Sequence, residues 1–294
     1  MDSHKTLFNA SFEESTKIVR NLFDKKHVCY DTGARGSQNI GARIFNIIPW
    51  IAFSVISYGL GVGLPKTADD GTVKFGLSNI WYGASKFCFL EFVILGVIIF
   101  WGLLLVIHIV PKPNYLITRL FEIVNLFFIL LLMSFSLMPM LLGTTLGATG
   151  WLGFCIICLY GIIFFINAMC SRVQKIKQEM YGKDYALKSS YISNIWARLK
   201  KYWLAVFVVI LINMLTLRIG MWGEFNLLSL PWLLAGPIYF GIVTLFTYGT
   251  FKLFITSFYF ARYAQHYRAL WQVSDEQWYG KRKAKKLAKK KVKA

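Results

Sequence analysis

The sequence predicts an all-α protein: a polytopic integral membrane helical bundle of about six transmembrane helices, with both termini cytoplasmic. Three observations predict it. Of 294 residues, 56% are apolar before the 23 glycines are counted, whereas a soluble domain reaches about 45–50% with glycine included. Only 16% are charged, against roughly 25% in soluble domains. The apolar residues also gather in runs close to the length of about 20 that a spanning helix needs, and the basic residues gather between alternate runs. This pattern excludes a soluble enzyme, a disordered chain and a secreted disulfide scaffold.

Residues 1–44 form a polar N-terminal region. Ser11-Phe-Glu-Glu14 has the spacing of a capping box, in which serine and glutamate satisfy each other's backbone amides. Phe12, Ile18, Val19, Leu22 and Phe23 follow as an apolar stripe, closed by Asp24, Lys25 and Lys26. The expectation is a short amphipathic helix on the inner surface or against the bundle.

Residues 45–263 hold the six spans. They are Asn46–Leu64, Ala84–Val110, Leu120–Leu142, Trp151–Cys170, Trp203–Leu217 and one crossing within Phe225–Phe260. The last stretch is too long for one span. Pro231, Gly236, Pro237 and Gly241 mark a kinked entry, and Leu233–Lys252 is read as the crossing. The fourth helix is expected to run on to Tyr181, with Gly182 just past its end.

Orientation follows from charge. The N-terminal 44 residues hold seven Lys/Arg, and Ser171–Lys201 holds eight with two acids. The connection after the second span carries Lys112 and Arg119. The opposite connections are poor in base: Pro65–Tyr82 has Lys66 and Lys74, while Gly143–Gly150 and Gly220–Glu224 have none. Cytoplasmic loops are enriched in Lys/Arg, and six crossings put every basic segment on one side. The basic loop 171–202 includes a helix with Tyr191, Ile195, Trp196 and Leu199 on one face.

Residues 264–294 read as a basic cytoplasmic tail. Lys281, Arg282, Lys283, Lys285, Lys286, Lys289, Lys290, Lys291 and Lys293 are nine of the chain's 33 Lys/Arg, against 14 acids overall and a net charge of +19. Such a run is expected to be solvated and disordered. Beside a bilayer it attracts anionic headgroups, by about 1 kcal/mol per basic residue. It also resembles the tails by which some membrane insertases dock on ribosomal RNA. Those proteins carry a buried arginine in a hydrophilic groove, and no span here has one on the cytoplasmic side. Lipid is therefore the expected partner, beside a possible membrane protein partner; no specific nucleic acid is expected.

Ionisable residues in apolar runs mark candidate sites. His108, Glu122, Asn125, Asn167 and Lys252 fall at one depth near the cytoplasmic side. They either line a polar vestibule, with Glu122 and Lys252 as its ion pair, or snorkel separately to the interface. Glu91 lies inside the outer face and needs a partner or a proton. Arg218 is read as snorkelling outward. Gly143-Thr-Thr-Leu-Gly147 has the spacing of close helix packing and is read as an outer turn.

Cys155-Ile-Ile-Cys158 puts two sulfurs on one helical face. These four residues resemble the membrane-embedded redox motif of the vitamin K epoxide reductase family, which implies thiol oxidoreductase chemistry. That family also uses a second cysteine pair outside the membrane, and the outer connections here contain no cysteine. The pair is read as packing beside Gly147, Gly150 and Gly153. Phosphate-loop, dinucleotide-binding, zinc-protease and nucleophile-elbow motifs are absent, and no metal or cofactor is expected. The functional expectation is a non-enzymatic component of a transport, export or envelope-assembly system in a bacterial plasma membrane. A small-solute transporter using the vestibule and a thiol oxidoreductase are the alternatives.

Overall fold

The structure is a computed structural model and describes residues 6–19, 40–69, 78–109, 115–182, 191–222 and 226–293. It is helical, with no strand among the described residues. The helices are α1 (Phe12–Thr16), α2 (Ile40–Tyr58), α3 (Leu64–Asp69), α4 (Ser78–Ser85), α5 (Glu91–Ile109), α6 (Tyr115–Met138), α7 (Thr144–Tyr181), α8 (Tyr191–Lys201), α9 (Trp203–Ile212), α10 (Ala235–Arg262), α11 (Ala264–Leu270), α12 (Asp275–Tyr279) and α13 (Lys281–Lys293). Three π turns, Gly59–Gly63, Pro139–Gly143 and Asn213–Leu217, extend α2, α6 and α9 without breaking the rod.

Four helical stretches are long and apolar enough to cross a membrane: Ile47–Ala68, Ser78–Ile109, Leu120–Tyr181 and Leu227–Arg262. A fifth is possible if Ser193–Lys201 and Trp203–Leu217, bent by 59° at Tyr202, count as one. Large apolar side chains cover their outer faces, among them Phe92 at 81% exposure and Leu245 at 71%. Water would penalise such a surface, and soluble monomers rarely carry so much of it contiguously.

Side-chain pairs fix the helix directions. Trp50 packs on Trp101 and Tyr58 reaches Glu91, so α2 and α5 are antiparallel. His108 stacks on Phe121 and Trp101 bonds Asn125, so α5 and α6 are antiparallel as well. The stretch Leu120–Tyr181 folds back on itself. The Tyr239 hydroxyl reaches the Ser134 carbonyl at 3.3 Å, while the ring of the next residue, Phe240, lies against Gly161. A straight helix would hold Ser134 and Gly161 about 40 Å apart. The reversal is at Gly150, whose φ of +68° and ψ of 179° belong to a backbone region open essentially to glycine.

Gly143–Thr149 is therefore helix, not turn, and every residue from Leu142 to Gly150 is buried. The close approach expected from its glycines does occur. Gly143 and Gly147 lie backbone to backbone against Gly83, Ala84 and Ile80 of α4. Threonine hydroxyls bond back to carbonyls within the helix, Thr145 to Leu141 at 2.7 Å and Thr149 to Thr145 at 2.8 Å. A polar segment can thus be buried without orphaned groups. Asn213 closes the hub by bonding the Thr149 and Ile219 carbonyls and accepting from the Ile219 amide at 3.1 Å.

The lower arm of α7 and α10 run parallel. Along α10, residues 236, 240, 244, 248 and 252 form the ridge toward α7, at the four-residue spacing of a helix face. Gly236 meets Ile157, Phe240 meets Gly161, Tyr248 meets Arg172, and Lys252 meets Glu179. The α7 helix ends at Tyr181, with Gly182 at φ +103°, as its sequence predicts.

Candidate membrane-surface site

The end of the bundle where α7 and α10 finish carries a second core. Leu7, Ala10, Ile18 and Val19 from the N-terminal segment pack with Ile176 and Met180 of α7 and with Ile255, Tyr259 and Phe260 of α10. Ala264, Tyr267, Val273 and Trp278 complete it. Residues 264–279, expected as the start of a tail, belong to this packed unit. The capping box at Ser11 and Glu14 is formed, but α1 spans only five residues. Leu22, Phe23, Asp24, Lys25 and Lys26 lie outside the described residues.

A set of hydrogen bonds ties the N-terminal segment down. The Tyr259 hydroxyl donates to the Leu7 carbonyl at 2.7 Å and accepts from the Ala10 amide at 2.9 Å. Tyr263 donates to the Ala10 carbonyl at 2.9 Å, Arg262 to Phe8 at 2.6 Å and Tyr181 to Thr6 at 2.7 Å. Ser15 directs its proton to the Phe12 carbonyl, so Tyr267, 2.7 Å away, donates to Ser15. Phe12 packs edge-on against Tyr263 and Tyr267. The two ends of the described chain thus form one clasp at one end of the bundle.

The clasp carries the basic helix. A capping box at Ser274 and Gln277 starts α12, and Gly280, at φ +79°, turns the chain into α13. Arg268 pairs with Asp275 and lies over the Tyr279 ring at 5.0 Å. Lys291 returns to within 3.6 Å of Asp275, so α13 folds back along α12. The hydrogen bond from Arg268, with the charges of Arg268 and Lys291, holds the Asp275 carboxyl below its ordinary range against the opposing effect of burial. Burial pushes the Tyr267 hydroxyl up to about 12. The charge run is therefore helical rather than disordered: Lys, Ala and Leu are strong helix formers. Ala284 and Leu287 are half-buried, while Arg282, Lys283, Lys285, Lys286, Lys289, Lys290 and Lys291 are exposed. The side chains of Lys281 and Lys293 lie outside the described residues.

The five vestibule candidates lie on α5, α6, α7 and α10. His108 stacks on Phe121 at 3.8 Å. Asn125 is buried and accepts a hydrogen bond from Trp101 between α5 and α6. Glu122, three residues earlier, is exposed, and Asn167 is half-buried on α7. Lys252 pairs with Glu179 of α7 at 2.5 Å, rather than with Glu122 as the vestibule alternative has it. Depth along the bundle does not fix which way each residue faces around its helix. Glu179 was missed because it lies in the basic loop segment, outside the apolar runs.

At the other end, Glu91 has the partners that its position demands. Tyr58 donates to it at 3.0 Å, and Lys66 forms its ion pair. Arg218 is exposed, in a left-handed conformation at the end of the third π turn. Cys155 is exposed and Cys158 half-buried, and both are free thiols. Gly153 beside them touches Thr149 and Ile210. No group of three or more potential metal ligands occurs among the described residues.

The fold defines an all-helical protein with several helices able to cross a membrane. Comparison with protein-family models, curated proteins and solved structures finds no match.

Proposed function

We propose that this chain is a multi-pass protein of a bacterial plasma membrane with six crossings and both ends cytoplasmic. It acts as a non-enzymatic component of a transport, export or envelope-assembly system, and its basic inner end rests on anionic lipid. The observation that carries this reading is the mounting of α13. Seven exposed basic side chains project from a helix turned at Gly280 and fastened to the clasp through Asp275. A preordered cationic helix meets a lipid surface without first losing chain entropy. The alternating helix directions and the fold-back at Gly150 support six crossings.

Cysteine labelling tests the topology. Lys17 and Lys290 should label from the cytoplasmic side and Thr67 from the outer side; Lys290 outside would overturn the reading. Truncation after Gly280 tests the surface role. The shortened chain should fold with small loss, since the Lys291–Asp275 pair is exposed and worth at most about 1 kcal/mol. Isolated in detergent, it should bind vesicles of anionic phospholipid more weakly than the full chain. Equal binding at low salt would refute the lipid role.

A further inference from the structure

On the lower arm of α7, one turn inward from the end of its apolar run at Cys170, Arg172 and Lys175 stand three residues apart. Residues at that spacing are neighbours on a helix surface. Both converge on Tyr248 of α10. The Arg172 guanidinium lies 4.5 Å from the centre of the Tyr248 ring, and the Lys175 ammonium 5.9 Å from it. Neither cation forms an ion pair among the described residues. The nearby carboxylate, Glu179, is engaged by Lys252.

Two further atoms are left unmatched in the same seam. The Nε of Arg172 is buried without a hydrogen-bond partner. Thr244, one turn deeper on the α10 ridge that faces α7, is buried and its hydroxyl has no partner either. Buried donors are ordinarily satisfied, and neighbouring like charges ordinarily gather a counter-charge. Arg172 and Lys175 over one aromatic ring, with the Thr244 hydroxyl one turn away on the same ridge, supply the charge and donors that suit an anion. The surroundings identify the anion's carrier. Leu245, three residues before Tyr248, is 71% exposed on the flank of α10, giving an acyl chain a surface directly beneath the charges.

We propose that Arg172, Lys175 and Tyr248 form a binding site for the phosphate of an anionic phospholipid, at the inner edge of the groove between α7 and α10. Arg172 presents its planar donors to the phosphate oxygens while its face stays on Tyr248. Lys175 adds a point charge from the solvent side. The phospholipid's acyl tails lie along the lipid-facing side of α10. The site rests on the membrane-spanning reading but not on α13, which is a separate surface.

The full chain is purified in detergent, and its thermal midpoint is followed during titration with phosphatidylglycerol, phosphatidylcholine or inorganic phosphate. Phosphatidylglycerol should raise the midpoint saturably, and phosphatidylcholine should not. In the double variant Arg172→Gln, Lys175→Gln the affinity should fall by about tenfold or more, because charge-assisted hydrogen bonds are lost. Lys175 is exposed, so Lys175→Gln alone tests the site if the double variant does not fold, and it should weaken binding several-fold. Truncation after Gly280 should leave this response intact. Unchanged affinity in Lys175→Gln and the double variant would overturn the proposal. Saturation by inorganic phosphate at equal affinity would overturn the lipid source. A chain that stays soluble without detergent would instead remove the membrane reading itself.

Discussion

The hydroxyl of Tyr259 and the carbonyl of Leu7, 252 positions apart in sequence, are joined by a 2.7 Å hydrogen bond. The same hydroxyl accepts from Ala10, so one side chain satisfies two backbone groups of a segment that has no strand or long helix of its own. Removing it should release the segment. Tyr259→Phe leaves a buried carbonyl and amide unpaired, at a cost of about 1–3 kcal/mol. The expected result is a lower thermal midpoint and faster proteolytic cleavage near Val19; cleavage at the parental rate would refute the clasp.

The Lys252–Glu179 pair should couple weakly. Its side chains are 35% and 42% exposed, and such pairs contribute roughly 0.2–1 kcal/mol. A double-mutant cycle with Lys252→Met and Glu179→Gln, read by thermal unfolding in detergent, should give a coupling in that range. The cycle of Lys252→Met with Glu122→Gln should be additive within about 0.5 kcal/mol. Strong coupling in the second cycle would restore the vestibule.

Burial raises Tyr259 as well as Tyr267, so tyrosine titration limits the clasp on the alkaline side and Asp275 on the acid side. Tyr267 is raised to about 12 by burial. Its contribution is therefore complete below the ordinary tyrosine value of about 10 and is lost as pH rises toward 12. Asp275 is lowered by Arg268. Its contribution is complete above the ordinary aspartate value of about 3.9 and is lost as pH falls through the lower folded value. Protection of the N-terminal segment from protease should decline at both extremes. Tyr267→Phe should make the alkaline limb shallower, with Tyr259 supplying the remainder, and leave the acid limb in place; an unchanged alkaline limb would exclude Tyr267 as a source.

Gly150 and Gly182 provide a paired test of backbone strain and packing. Both have positive φ and extended ψ. A Cβ at Gly150 would also press on the Gly220 carbonyl at 2.7 Å, whereas at Gly182 nothing lies within 4 Å. Either change to alanine carries a conformational cost of order 1–3 kcal/mol. Gly150→Ala should cost more and reduce folded yield further. Equal yields would mean that the Gly150–Gly220 contact relaxes freely.

The sequence displays what depends on neighbours along the chain. The apolar runs mark the long helices, Ser11 and Glu14 mark a cap that forms, and Trp151 marks the first residue after the Gly150 reversal. Partners across the bundle were less legible. The three-residue spacing puts Asn125 on one face with Glu122, but it does not reveal that Trp101 bonds it. The apolar stripe at Phe12, Ile18 and Val19 announced a buried face without revealing that Tyr263 and Tyr267 receive it. The charge run concealed a helix, because charge governs solvation whereas Lys, Ala and Leu propensities govern backbone conformation.

The clasp also imposes an order on biosynthesis. Ser15 emerges early, but Tyr267, to which it bonds, is made 252 residues later. At about 5–20 residues per second, that interval is roughly 12–50 s. Throughout it, Leu7, Ile18 and Val19 lack the part of their core that Ile255, Tyr259 and Tyr267 supply, whichever helices have already formed. The segment of residues 7–19 therefore reaches its final place only after α10 has been made, and its shielding reports that α10 has arrived. A ribosome arrested before Arg262 would hold a chain with its early helices complete and that end still open to a chaperone or a protease.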